Sequence, residues 1–190
     1  MKIGIFGGSF NPIQNTHARI IKEVLKNKLV NEVWIVPSGN HPFDKKMESV
    51  EHRLKMINLA IKGIKNVKVC DIEINSNGKS YTYDTIKKLR EKYPHEFLLI
   101  IGSDILRDIE RWHKYKELVR EVKFIIFLRD GYSIKLSGNF KDSYVIEENP
   151  NNISSSTIRR LASDGHSIKN LVPKEVEEYI KQKELYKNEK

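Results

Sequence analysis

Three stretches of the sequence carry groups suited to binding an anion. The first runs Gly7-Gly8-Ser9-Phe10-Asn11-Pro12-Ile13-Gln14-Asn15-Thr16-His17. Its two adjacent glycines let a ligand approach backbone that a Cβ would shield, and His17 falls in the first turn of the helix that follows, where helix N–H groups and dipole both favour an anion. The second is Ile153-Ser154-Ser155-Ser156-Thr157-Ile158-Arg159, which combines hydroxyls, the N–H groups of a helix start and an arginine one turn in. The third is Gly102-Ser103-Asp104, with Trp112 eight residues beyond the aspartate. Each has an ordinary explanation when taken alone. His17 can be a solvated or capping residue, Ser154 an N-cap, Arg159 a surface residue and Trp112 a core aromatic beside Tyr115.

Several chemistries find no support in the spacing. The first loop lacks the Gly-Lys-Ser/Thr ending of a P-loop and the G-x-G-x-x-G dinucleotide pattern. The six histidines form no H-E-x-x-H pair, and no Gly-x-Ser-x-Gly nucleophile turn occurs. Cys70, the single cysteine, reads as packing in a buried strand and fits a reducing compartment. No resident metal site is expected.

The elements that must position these loops are short. Strands are predicted at Lys2–Phe6, Glu32–Val36, Val67–Ile74, Glu96–Ile101 and Val122–Leu128, separated by segments with apolar residues at helical spacing such as Ile20, Ile21, Val24 and Leu25. Strands that are apolar at consecutive positions and alternate with helices argue for a doubly wound, Rossmann-like α/β sheet, parallel and covered on both faces. In such a sheet ligands bind beyond the carboxyl ends of the strands, where the strand order reverses. All three stretches follow or adjoin those ends. After the turn-rich Asn149-Pro150-Asn151-Asn152, two further helices, the second opening at Pro173, make a C-terminal helical cap over about 153–186 of one domain spanning 1–190.

The longest apolar runs, Phe97–Ile101 and Phe124–Leu128, are far short of a bilayer span, so no membrane association and a cytoplasmic setting are expected. The net charge of +9 arises from 34 basic and 25 acidic residues. Lysines dominate and are interleaved with acids, which points to a solvated surface rather than a nucleic-acid stripe. Oligomeric state is left open.

These residues resemble the bacterial nicotinate-nucleotide adenylyltransferases of the nucleotidyltransferase α/β phosphodiesterase superfamily. The likeness rests on Gly7-Gly8-Ser9-Phe10-Asn11-Pro12, His52-Arg53, Ser80-Tyr81-Thr82-Tyr83-Asp84-Thr85, Ile101-Gly102-Ser103-Asp104 with Trp112, and Ile153 to Arg159. The resemblance implies AMP transfer from ATP to nicotinate mononucleotide, giving deamido-NAD and pyrophosphate, with Mg2+ arriving on the ATP. It assigns ATP to Gly7, Gly8, Ser9, Phe10, Gly102, Asp104, Ser155, Ile158 and Arg159, and phosphate contacts to His17, Gln14 and Lys45. Asp104 would hold a ribose hydroxyl or help order the metal. The pyridine nucleotide would meet Asn40, Tyr83, Thr85 and Trp112, with the ring on the indole and its carboxylate at N–H groups around Tyr83 to Thr85.

Two departures stand out. Where the family has H-x-G-H, this chain has Gln14-Asn15-Thr16-His17, replacing one histidine by a neutral amide and a glycine by a branched residue. The family's Pro-Pro-His-Lys run after the second strand becomes Ser38-Gly39-Asn40-His41-Pro42-Phe43-Asp44-Lys45-Lys46, so either Lys45 or Lys46 is a candidate for the pyrophosphate. These changes keep two alternatives in view. One is transfer of an adenylyl or cytidylyl group to another phosphate monoester such as nicotinamide mononucleotide or phosphopantetheine. The other is a catalytically impaired nucleotide-binding paralogue.

Overall fold

The computed structural model describes residues 1–39, 47–76, 78–129, 138–147 and 153–187. Six strands, β1 (Lys2–Gly8), β2 (Glu32–Pro37), β3 (Val67–Val69), β4 (Glu96–Gly102), β5 (Lys123–Phe127) and β6 (Tyr144–Ile146), form one sheet in the order β3-β2-β1-β4-β5-β6. Every neighbouring pair is parallel. The order reverses beside β1, which pairs with both β2 and β4. Six α-helices lie on the sheet's faces: α1 (Asn15–Lys26), α2 (Val50–Ile61), α3 (Thr82–Lys92), α4 (Tyr115–Glu121), α5 (Ser155–Ser163) and α6 (Lys174–Gln182).

Side-chain alternation along the strands sorts the core into two layers. Val33, Ile35, Leu98, Ile100 and Ile125 face one side, where they meet Ile20, Ile21 and Val24 of α1, Met56 and Ile57 of α2, Ile158 of α5 and Val176 and Ile180 of α6. Trp34, Val36, Phe97, Leu99, Ile101, Phe124 and Ile126 face the other, against Ile86 and Leu89 of α3 and Leu118 and Val119 of α4. The consecutive apolar residues that suggested strands buried on both faces therefore serve two different cores.

The structure departs from the expected elements in two places. Only Val67–Val69 of the predicted Val67–Ile74 strand joins the sheet, and residues 72–75 turn away from it. As the edge strand, β3 is paired to β2 alone, and Cys70 is half-buried rather than enclosed. The short β6 was not predicted, because three residues in the middle of a polar stretch carry no periodic signal.

One loop links the fold to its ligand-binding end. Between β1 and α1 the chain passes through Phe10, whose φ of 47° lies in the left-handed region, and its carbonyls are held from below. Arg53 of α2, 1% exposed, donates from Nη1 to the Ser9 carbonyl at 2.9 Å and from Nε to the Glu48 carbonyl at 3.2 Å. Arg159 Nη1 reaches the Asn11 carbonyl at 3.0 Å and Ser155 Oγ the Pro12 carbonyl at 3.1 Å. The Tyr186 hydroxyl donates to Asn11 Oδ1 at 3.0 Å. Replacing Arg53 leaves buried carbonyls without a donor, which costs about 1–3 kcal/mol per group. Arg53→Met is therefore expected to lower the urea midpoint, whereas Lys55→Ala on the exposed face of the same helix should change stability by less than about 0.5 kcal/mol.

Candidate active site

Beyond the carboxyl ends of the strands lies a cavity of about 630 Å³, at the position where the strand order reverses. On the β1 side its wall is the backbone of Gly7, Gly8 and Ser9, with His17 from α1. Gly102 and Asp104 follow β4, Ser38 follows β2 and Arg129 follows β5. The opposite end is formed by Glu73, by Ser80 to Thr82 and Thr85 at the start of α3, and by Trp112.

His17 is held by the turn that begins α1. Its Nδ1 accepts the Gln14 N–H at 3.0 Å, which assigns the ring proton to Nε2. Its ring packs edge-on against Phe6 and Phe10, at centroid distances of 5.6 and 5.2 Å. Burial, and then the positive charge of Arg129, lower its pKa from 6.5 to about 3. At neutral pH His17 thus offers a directed N–H and no charge.

Arg129 brings the charge. Its backbone N–H donates to Ser103 Oγ at 2.9 Å, its guanidinium lies 5.6 Å from the Phe127 ring centre, and its Nε stands 3.0 Å from Asp104 Oδ1. A Cβ at Gly102 would collide with Asp104 Oδ1 and crowd the Arg129 Nε, so the bare α-carbon makes room for this pair. The geometry of the pair is ionic rather than hydrogen-bonded: both atoms are buried and lack a hydrogen-bond partner among the described residues. Ser38 Oγ, also on the cavity wall, is in the same condition.

At the far end, α3 starts without a side-chain cap from Tyr81. Its first intrahelical bond runs from the Thr85 N–H to the Tyr81 carbonyl at 3.0 Å, which leaves the N–H groups of Thr82, Tyr83 and Asp84 without intrahelical acceptors. Trp112 is half-buried, with part of its surface packed on the second core layer and part on the cavity. The Tyr81 ring lies 4.6 Å from that of His113.

Of the residues singled out in the sequence, Gly7, Gly8, Ser9, His17, Gly102, Asp104, Thr85 and Trp112 meet at this cavity. Others do not line it. Phe10 is buried behind His17 as its packing support. Gln14 donates from Nε2 to Ser155 Oγ at 2.7 Å and is itself buried, so it joins α1 to α5. Ser155 and Arg159 bind the carbonyls of the first loop from behind, as described above. Ile158 has its side chain in the core and its N–H on the Ser154 carbonyl at 3.1 Å. The Tyr83 hydroxyl turns to Glu121 at 3.4 Å and its ring lies under Lys114, so only its backbone remains for a ligand. Asn40, Lys45 and Lys46 lie outside the described residues.

Sequence reasoning passed over Arg129, Glu73 and Ser38. Arg129 comes two residues after β5, and the rule that pointed to the loops after β1 and β4 applies equally there. Ser38 follows β2 in the same way. Glu73 was hidden by reading Val67–Ile74 as a single strand. Among the described residues no group of three or more His, Cys, Asp or Glu side chains gathers to hold a metal ion, and no helix is long and apolar enough to cross a membrane.

The family model for cytidylyltransferase-like proteins matches residues 5–161. Over 188 residues, covering 95% of this chain and 97% of the relative, the sequence is 42% identical to the "Probable nicotinate-nucleotide adenylyltransferase" of Fusobacterium nucleatum subsp. nucleatum. It is 36% identical to the protein of the same name in Oceanobacillus iheyensis, covering 97% of this chain and 96% of that one. Among solved structures, the Plasmodium falciparum nicotinic acid mononucleotide adenylyltransferase complexed with NaAD superposes with a TM-score of 0.85 at 28% identity, covering 98% of this chain and 97% of that one. The complex of that protein with APC gives 0.84 at 27% identity, with the same coverage. Likeness in sequence and in fold thus covers nearly the whole chain, and the chain belongs to the cytidylyltransferase-like family and, within it, to the nicotinate-nucleotide adenylyltransferases.

Proposed function

We propose that this protein transfers AMP from ATP to nicotinate mononucleotide, forming deamido-NAD and pyrophosphate, a step of NAD biosynthesis. The observation that carries the reading is a single cavity with a glycine loop and His17 at one end and an uncapped helix start with an indole at the other. A phosphate oxygen of the mononucleotide attacks the α-phosphorus of ATP, a new P–O bond forms, and the bond to the β-phosphate oxygen breaks to release pyrophosphate. Such a reaction needs alignment and neutralisation of charge more than covalent chemistry from the protein.

The residues divide that work. Gly7, Gly8 and Ser9 present backbone to the nucleotide, and His17 donates its Nε2–H to the phosphates in its neutral form. Arg129 supplies positive charge beside it. Asp104 meets a ribose hydroxyl or a metal-bound water. The nicotinate ring stacks on Trp112, and its carboxylate is received by the N–H groups of Tyr83 and Asp84. Gln14, Ser155 and Arg159 act through the loop they brace, and Asn40 with Lys45 or Lys46 completes the substrate contacts.

A divalent cation fits this donor set. Asp104 Oδ1 is held against Arg129 Nε at 3.0 Å, so the carboxylate would meet the ion through its bound waters, which suits a cation that keeps most of them and arrives with ATP. Held in that way beside Asp104, Mg2+ would supply charge neutralisation on the phosphate oxygens. Residues 1–190 are read as one nucleotidyltransferase domain with 153–186 as its helical cap, in the reducing cytoplasm that the lone Cys70 suits.

Two experiments test the reading. Purified protein with ATP, Mg2+ and nicotinate mononucleotide should yield deamido-NAD and pyrophosphate, and His17→Ala should lower kcat by about 10²–10³-fold with circular dichroism unchanged. No product above a protein-free control would remove the proposal, and a preference for nicotinamide mononucleotide or phosphopantetheine would redirect it. The second concerns pH. A histidine whose folded pKa lies near 3, below its unfolded 6.5, opposes protonation in the folded state. Its contribution to stability is complete above about pH 6.5 and is lost as the pH falls towards 3. His17→Gln should flatten the part of the stability–pH curve below 6.5, as read by urea unfolding at successive pH values.

A further inference from the structure

Glu73 stands where three segments of the cavity meet. Its side chain lies on the cavity wall, and its Oε1 accepts the Thr85 hydroxyl at 2.7 Å. That hydroxyl also reaches the Tyr81 carbonyl at 3.2 Å, so one bifurcated group ties the carboxylate to the first turn of α3. The Glu73 carbonyl accepts the Ser76 hydroxyl at 2.8 Å, and Ser76 Oγ lies 3.1 Å from Ser80 Oγ, just before α3 begins. A Cβ at Gly39 would collide with that same carbonyl, so the loop after β2, which carries Ser38, rests directly on it.

The carboxylate is not embedded in solid packing. Behind it lies a second, polar cavity of about 60 Å³ lined by Glu73, Ser76, Lys79, Asp84 and Lys88 among others. Glu73, Tyr81 and Thr85 border both spaces. The start of α3 is therefore supported on this side by a thin partition whose main directional contact is the Thr85–Glu73 hydrogen bond. Burial pushes the Glu73 pKa up, and the Thr85 hydroxyl and Lys88 pull it down, so the hydroxyl favours the carboxylate it touches.

We propose that Glu73 is a positioning residue for the pyridine half of the substrate, fixing the first turn of α3, and with it the Tyr83 and Asp84 N–H groups, through its bond to Thr85. This rests on the adenylyltransferase reading above. Glu73 itself is assigned no contact with the substrate.

The test is steady-state kinetics on the purified enzyme with ATP and Mg2+, varying nicotinate mononucleotide and ATP in turn. Glu73→Ala should raise KM for nicotinate mononucleotide roughly tenfold, the scale of one charge-assisted hydrogen bond, with KM for ATP within about twofold of wild type. Glu73→Gln, which keeps an acceptor for Thr85, should recover most of the loss. Thr85→Val should match Glu73→Ala, and the double variant should be no worse than either single one, since both remove the same bond. If Glu73→Ala does not fold, Thr85→Val carries the same expectation alone. Unchanged KM for the mononucleotide, or equal losses for both substrates, would overturn the proposal. So would a Glu73→Gln enzyme whose preference between nicotinate and nicotinamide mononucleotide changes, because the charge would then be reading the substituent directly. Absence of turnover by the wild-type enzyme would instead count against the adenylyltransferase reading, which separates the two failures.

Discussion

A loop that shows its N–H groups to a ligand has to do something with its carbonyls, and in this protein they point into the molecule. Buried carbonyls without donors are costly, and two buried arginines and a serine meet the need: Arg53 at Ser9, Arg159 at Asn11 and Ser155 at Pro12. Much of the architecture follows from this constraint. Helices α2 and α5 must lie on the same face of the sheet, flanking the end of β1, and the core they share with α1 and α6 holds them there. A buried guanidinium is tolerated because its donors meet oxygens, the Ser9 and Glu48 carbonyls for Arg53 and the Asn11 carbonyl with Ser156 Oγ for Arg159, a use for which its fixed fan of donors suits arginine better than lysine.

The cavity separates direction from charge. His17 is locked by Gln14 N–H and two phenylalanine rings into one neutral tautomer, so it contributes orientation. Arg129 contributes charge and shares it with Asp104 at 3.0 Å. The same cation helps to keep the imidazole uncharged. At the far end Arg111 and His113 flank Trp112 on the cavity wall. There, unpaired helix N–H groups and an aromatic face suit a flat ring bearing a single carboxylate.

Much of this was legible in the residues. Five of the six strands and the parallel, doubly wound sheet follow from strand periodicity, the glycine loop and His17 were singled out by the rule for where such sheets bind ligands, and the role given to Trp112 came with the family resemblance. What the sequence did not show has distinct physical causes. Ile158 and Tyr83 sit inside matching motifs, but the helical phase of α5 turns one into the core and that of α3 turns the other towards Glu121. Gln14 reads as a phosphate donor until the side chain is seen to reach Ser155, a contact across 141 residues that no local pattern reports. Glu73 was lost because β3 leaves the sheet after three residues, and an edge strand's end depends on its partner more than on its own sequence.

The hydrogen bond from Tyr186 to Asn11 spans 175 positions of the chain. A ribosome therefore delivers the nucleotide loop long before the hydroxyl that closes over its underside, and α5, with Arg159 and Ser155, also arrives late. Until those segments emerge, the Asn11 and Pro12 carbonyls lack the donors that hold them in the finished protein. The underside of the glycine loop is thus completed only when the two ends of the chain meet.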